Sequence, residues 1–155
     1  MSSPKYAMIF VNLHVNSLAT AIPFYKALGF TQNMHFSDST TAMMALPPFV
    51  QGAGTINVML LEHERFKTFL PTGRGISNAK ADTEVLLCLT AESREAVDEL
   101  VGKAESGGGR SMVSTLPDAP QMYGRMFEDP DGHIWEAMWM SEEAVKAGAS
   151  EEEKK

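Results

Sequence analysis

The chain has 155 residues, of which 44% are apolar and 21% charged, and its formal net charge at pH 7 is −7. This size favours one domain, or two small halves packed as one, with enough apolar residues for a core. The acidic charge and the lack of a Lys/Arg stripe argue against a nucleic-acid binder, and no run of about 18 apolar residues predicts a membrane span.

The first residues, 1–6, lack the apolar segment of a signal peptide, so a cytoplasmic location is expected. The single cysteine, Cys88, lies in the apolar run VLLCL. We predict a buried, inert thiol at this position, since apolar burial raises the pKa of a thiol.

A first strand is predicted over residues 5–15, where alternate side chains fall on two faces. One face is uniformly aliphatic and is expected to pack on helices. The other carries Phe10, Asn12 and His14 and becomes polar toward its end, as a face bordering a cavity would.

A helix is predicted over residues 18–28, with Ser17 as its N-cap and Gly29 as its end, and Pro23 is expected to kink or shorten it. Residues 63–82 are expected to form a linker that contains a short helix. Between them, three strands are predicted, at residues 30–37, 40–46 and 55–62.

The same order of elements recurs in the second half. A strand at 83–89 leads to a helix at 91–105, with Thr90 as the predicted cap, and three strands follow at 110–116, 121–128 and 133–140. A terminal helix at 141–150 and a charged tail complete the chain. One helix cannot cover both faces of its sheet, so the uncovered face is expected to close onto its twin or a second chain and leave a ligand cavity.

Four stretches carry a family resemblance: VNLHVNSLATAIPFYKALGF, INVMLLE, EVLLCLTAESREAVDELV and GRMFEDPDGHIWEAMWM. On these stretches the chain resembles the vicinal oxygen chelate superfamily, also called the glyoxalase/bleomycin-resistance/dioxygenase superfamily. The resemblance implies an α+β fold of two βαβββ modules that form a cup-shaped mixed sheet, and a homodimer. The implied modules cover residues 1–62 and 83–140, within one domain that ends in a helix and tail at 141–155.

Metal-using members of this superfamily hold a divalent ion in the cup. Their ligand positions fall here on Phe10, Met59, Glu84 and Glu136. Phe10 has no donor atom and Met59 offers only a soft thioether, so the implied site is incomplete. The cofactor is left open between no metal and one divalent ion, from among Mg, Mn, Fe, Ni and Zn, held by Glu84 and Glu136.

Glu136 is the candidate catalytic residue, as metal ligand or general base, because a carboxylate in an apolar strand needs water, a metal, a substrate or a partner. It shares its predicted face with Ile134 and Met138. The alternative is a structural carboxylate that is hydrogen-bonded to a neighbour.

The remaining candidates would contact a ligand. Arg125 could form a bidentate pair with a carboxylate or phosphate, or pair with an acidic residue at the surface. Eleven methionines indicate either core filling or an adaptable pocket wall, which suits an apolar or aromatic ligand. The predicted ligand-binding residues are Phe10, His14, Met59, Tyr123 and Arg125.

Two function classes follow from the resemblance. One is a binder of a small organic ligand with a degenerate or absent metal site, as in the bleomycin-resistance proteins. The other is an enzyme, a metal-dependent lyase resembling glyoxalase I or a ring-cleaving dioxygenase that uses Glu136.

Overall fold

The computed structural model describes residues 9–46, 54–113 and 119–146. The chain divides into two compact units, residues 1–78 and 79–155. None of the helices in the described ranges is long and apolar enough to cross a membrane.

The first unit contains one four-stranded sheet with the strand order β1-β4-β3-β2. Strands β1 and β4 are parallel and the other neighbours are antiparallel. Its elements are β1 (Phe10–Val15), α1 (Leu18–Ala27), β2 (Thr31–Asn33), β3 (Thr41–Leu46), β4 (Ile56–Glu62) and α2 (His63–Lys67).

The second unit repeats this arrangement with the order β5-β8-β7-β6, in which β5 and β8 are parallel. Its elements are β5 (Leu86–Thr90), α3 (Arg94–Ser106), β6 (Arg110–Met112), β7 (Met122–Glu128) and β8 (Ile134–Met140). The predicted α+β fold of two βαβββ modules is therefore confirmed. Residues 142–146 are also helical.

Helix α1 begins and ends as its sequence predicts. The Ser17 side chain accepts a hydrogen bond from the backbone N–H of Ala19. Gly29 has a φ of 99°, and Phe30 donates its N–H to Tyr25, which closes the helix with a Schellman motif. Pro23 lies inside the helix without ending it. Helix α3 ends in the same motif at Gly108, with a φ of 98°.

The core of the first unit lies between α1 and one face of the sheet. The aliphatic face of β1 points to this side, as predicted. Since β-sheet partners share a face, every second residue of β3 and β4 joins it. The buried sheet residues on this side are Leu13, Val15, Ala42, Met44, Val58 and Leu60. The opposite face of the sheet is left for other contacts.

Three sequence predictions about local structure are wrong. Residues 34–36 form a 3-10 turn, since the Asn33 side chain accepts from the N–H of His35. Helix α3 is capped by Ser93, whose hydroxyl accepts from the N–H of Ala96, because Thr90 is still part of β5. Cys88 is exposed, since it lies on the face of β5 that α3 does not cover.

Some predicted segments fall outside the described residues. These are the beginning of the first strand, the loop that follows β3, the end of the strand that begins at Arg110, and the end of the chain after residue 146.

Candidate functional site

The face of the first sheet opposite α1 forms three rows of side chains across neighbouring strands. His14, Leu61 and Thr41 form one row, because Leu61 is the register partner of both other residues. In the next row, Met59 lies between Asn12 and Met43. The third row begins at Phe10. The predicted cavity face of β1 thus forms one edge of this surface.

An open cleft of about 540 Å³ lies on this face. Its floor comes from β1, β3 and β4, and its walls come from the 3-10 turn and from the segment that includes α2. The lining residues are Phe10, Asn12, His35, Phe36, Ser37, Asp38, Thr41, Met59, Leu61, Arg65 and Phe69. A cleft of this volume, with aromatic and thioether walls and a few polar groups, has the character of a small-molecule site.

Asp38 supplies a fixed negative charge to the cleft. Its carboxylate accepts hydrogen bonds from the backbone N–H of Thr40, at 2.8 Å, and from the Thr40 hydroxyl, at 3.0 Å. These bonds lower the pKa of Asp38, because they stabilise the ionised form. The hydroxyl of Thr41 has the weakest of the effects that lower this pKa. Asp38 is therefore ionised at neutral pH.

Thr41 places a buried hydroxyl in the same cleft. The residue is only 6% exposed, and its Oγ1 atom makes no hydrogen bond to the described part of the chain. The atom is enclosed by the protein, and its effect on the pKa of Asp38 is the weakest of those that lower it.

Arg65 supplies the positive charge of the cleft. Its guanidinium carbon lies 5.0 Å from the centre of the Phe69 ring, one helical turn further along the chain. This distance is within the range of a cation–π contact, which leaves the edge of the guanidinium free to donate hydrogen bonds.

His14 fastens the segment that carries Arg65 to the sheet. Its Nδ1 atom lies 3.3 Å from Nε2 of His63, the first residue of α2, and its ring packs edge-on against Phe66. His14 is 8% exposed. The structure thus places this predicted ligand-binding residue under α2, in the row that also holds Leu61 and Thr41 of the cleft.

In the second unit, Glu136 lies on the face of the sheet that α3 does not cover. Its register partners are Cys88 on β5 and Met126 on β7. Burial raises the pKa of the Cys88 thiol, and the negative charge of Glu136 raises it further. The half-buried carboxylate therefore has a thiol and a thioether as its nearest strand neighbours.

The strand register does not pair Glu84 with Glu136. Glu84 precedes β5 and is exposed, whereas the strand partner of Glu136 is Cys88. A site that joins the two carboxylates therefore stays a prediction.

Glu136 and its strand neighbours form an incomplete set of ligands for a divalent metal ion. Among the residues that the structure describes, no group of three His, Cys, Asp or Glu side chains could hold one. A single carboxylate beside a thiol and a thioether is a poor donor set for Mg²⁺ or Mn²⁺, which prefer several oxygen ligands. A metal ion at Glu136 would need further ligands beyond these three side chains.

Tyr123 and Arg125 lie on the opposite face of the second sheet from Glu136. The Tyr123 hydroxyl donates to Asp98 of α3, at 2.8 Å. The Arg125 guanidinium lies 4.0 Å from the centre of the Tyr123 ring. Both residues therefore belong to the layer between sheet and helix, and the structure does not bring them to the carboxylate.

Several residues of the cleft were not identified from the sequence. Arg65, Phe69, Phe36 and Asp38 lie in segments between strands, where no alternation pattern shows which way a side chain points. The predicted Phe10 and Met59 do line the cleft, but the walls depend on how α2 and the 3-10 turn fold back over the sheet.

No protein-family model matches the sequence, and no curated protein is significantly similar to it. Solved structures do match. A hypothetical protein from S. aureus is 28% identical and has a TM-score of 0.67, and the match covers 88% of this chain and 95% of that one.

Two further matches carry functional names. A glyoxalase/bleomycin resistance protein/dioxygenase family enzyme from Burkholderia phytofirmans PsJN is 18% identical, with a TM-score of 0.68, over 85% of this chain and 97% of that one. The fosfomycin resistance protein FosX from Listeria monocytogenes, in complex with Mn(II) and sulfate, is 15% identical, with a TM-score of 0.63, over 89% and 93%. Together with the repeated βαβββ order, these likenesses show that the chain has the glyoxalase/bleomycin resistance/dioxygenase fold, the fold of the vicinal oxygen chelate superfamily.

Proposed function

We propose that this protein binds a small organic ligand with an aromatic or apolar body, in the cleft of its first unit. The observation that carries the proposal is the cleft itself, about 540 Å³ in volume and lined by three phenylalanines, a methionine and a few polar groups. Pockets that hold drug-sized molecules have this size and this mixture of walls.

The arrangement of apolar and polar side chains in the cleft suits recognition of such a ligand. Phe36 and Phe69, which are 60% and 62% exposed, offer rings onto which a planar body can stack. Met59 is part of the floor, and its flexible thioether can adjust to an irregular shape. Asp38 adds a hydrogen-bond acceptor that can fix the orientation of the ligand.

The test is a titration with 2-naphthol, a neutral aromatic probe, followed by ¹H–¹⁵N NMR. We expect saturable shifts at the amides of the cleft residues. Met59→Trp fills the floor of the cleft and should weaken binding at least about ten-fold, since an overfilled site forces the ligand out. Met34→Trp is the matched control, because Met34 is 70% exposed and does not line the cleft. Shifts confined to the second unit, or equal binding by both variants, would contradict the proposal.

A second proposal concerns chemistry at Glu136. Its support is a half-buried carboxylate on the uncovered face of the second sheet, next to thioether side chains. The activity would be that of a lyase resembling glyoxalase I or of a ring-cleaving dioxygenase, with Glu136 as base or metal ligand. Metal analysis of the protein purified without chelator tests this proposal. Stoichiometric metal in the native protein that is lost in Glu136→Gln would support a metal-dependent enzyme. A native protein without metal would leave only the role of Glu136 as a general base.

The setting that we propose for either function is a homodimer in the cytoplasm. Sedimentation velocity at micromolar concentration distinguishes a dimer from a monomer, and fractionation of cells locates the protein. A protein that stays monomeric at all concentrations would contradict the proposed homodimer.

A further inference from the structure

We infer that the ligand of the cleft is an aromatic carboxylate, whose anionic group pairs with Arg65 while its ring stacks on the phenylalanines. This inference rests on the proposed function and names the chemical class of the ligand. It is carried by the position of Arg65 in the lining of the cleft and by the residues around it.

Arg65 has no acidic partner among the residues that the structure describes. In the described part of the chain, no carboxylate lies within 4.0 Å of its guanidinium and no hydrogen bond is made by it. Arg65 is exposed and lines the cleft, so its guanidinium is accessible to a ligand. An arginine that lines an apolar cleft and stays unpaired is positioned for an anion from outside the protein.

The nearby acidic residues are engaged elsewhere. Glu64, the neighbour of Arg65 on α2, pairs with Lys67. Asp38, the acid inside the cleft, accepts both hydrogen bonds of Thr40. Neither carboxylate therefore neutralises the guanidinium, and both stay where a ligand anion can approach Arg65 without displacing them.

The contact with Phe69 restricts the geometry of that approach. The guanidinium carbon lies over the Phe69 ring, and the N–H groups at the edge of a guanidinium are those that donate two parallel hydrogen bonds to a carboxylate. The same ring, together with Phe36, flanks the cleft beside that edge. A carboxylate attached directly to an aromatic ring satisfies both requirements.

The helix that carries Arg65 is fixed to the sheet by contacts with His14. His63, two residues earlier on α2, contacts Nδ1 of the buried His14, and Phe66 packs against the same imidazole. The residue therefore sits on an anchored turn of helix, so less conformational entropy is lost when the anion binds.

The experiment compares 2-naphthoate with 2-naphthamide, which has nearly the same shape but no charge, by calorimetry and NMR on the full chain. We expect naphthoate to bind about five- to ten-fold more tightly, as for a partly desolvated arginine–carboxylate pair. Arg65→Gln should bring the two affinities together, and Arg65→Lys should restore part of the difference. Arg74→Gln is the control, since Arg74 is exposed and lies outside the cleft.

The outcomes separate the two claims. Equal binding of both compounds at the cleft, or a naphthoate preference that survives in Arg65→Gln, overturns the inference and leaves the proposed function standing. If neither compound binds at the cleft, both the inference and the proposed function fail. If Arg74→Gln also loses the preference for naphthoate over naphthamide, the preference comes from the net charge of the protein, and the inference about Arg65 is overturned.

Discussion

The Cys88 thiol lies beside the Glu136 carboxylate on neighbouring parallel strands, and the carboxylate adds to burial in raising the pKa of that thiol. Glu136→Gln removes the charge and keeps the shape. We therefore expect the pKa of Cys88 to fall, and its alkylation by iodoacetamide to become faster at pH 8, because more thiolate is present. The rate measured as a function of pH checks this.

Glu84→Gln is the matched control for this measurement. Glu84 lies four residues along the strand direction from the partner of Glu136, so its removal should leave the alkylation rate unchanged. A thiol with a raised pKa in the folded state loses its contribution to stability as the pH rises above about 8.5. The native protein should therefore lose more stability than Glu136→Gln between pH 8 and pH 10, in urea unfolding.

The contact between His14 and His63 should be measurable as a coupling energy. A double-mutant cycle with His14→Ala and His63→Ala is expected to give about 1 kcal/mol, the net value of a partly buried hydrogen bond. The same cycle with His35→Ala, whose ring lines the cleft, should be additive within about 0.5 kcal/mol. Urea unfolding of the four proteins of each cycle provides the values, and equal coupling in both cycles would contradict the anchoring of α2 by His14.

Replacing a glycine by alanine should change the free energy of unfolding differently at three positions. At Gly132, φ is 99° and an added Cβ would lie 2.8 Å from the backbone nitrogen of Lys80, so we expect a loss of more than about 2 kcal/mol. At Gly108, φ is also positive but the space is open, so the loss should be about 1 kcal/mol. Gly102 lies inside α3 in open space, and Gly102→Ala should stabilise by about 0.5–1 kcal/mol. Thermal unfolding checks the order; a neutral Gly132→Ala would show that the turn can shift.

Asp129 holds the turn that leads into β8. Its Oδ1 atom accepts hydrogen bonds from the N–H groups of Asp131 and His133, both at 2.9 Å, and the residue is 2% exposed. Asp129→Ala leaves these buried donors unsatisfied and should destabilise the protein by about 2–4 kcal/mol. Asp129→Asn keeps an acceptor oxygen and should lose less than half as much. Equal losses in chemical denaturation would mean that the charge, and not the hydrogen bonds, is what the turn requires.

Much of the fold could be predicted from the sequence, because local signals agree with one another. Ser17 and Gly29 enclose α1 in the sequence as they do in the structure, and the alternation along β1 assigned its two faces correctly. One of the errors occurs where a side chain competes with the backbone for hydrogen bonds. Asn33 diverts the chain into a 3-10 turn in a segment whose composition also suits a strand.

Less of the candidate site than of the fold could be predicted from the sequence. Family ligand positions place Glu84 and Glu136 in one site, but strand register decides which residues are neighbours, and it pairs Glu136 with Cys88. A shift of register along β5 is invisible in a single sequence, since Leu86, Cys88 and Thr90 all lie on the face in question. Arg65 was missed for a different reason: its place in the lining of the cleft depends on how α2 folds over the sheet, which only coordinates reveal.

The parallel pairing in each unit also constrains how the chain can fold as it is synthesised. In the parallel strand pairs, residue 10 lies opposite residue 57, and residue 86 lies opposite residue 134. The first strand of each unit, β1 or β5, can therefore pair only after nearly the whole unit has left the ribosome, and loop closure over this distance slows folding. The amino-terminal unit can complete its sheet while its twin is still being translated, so its cleft could exist on the nascent chain before the second sheet has formed.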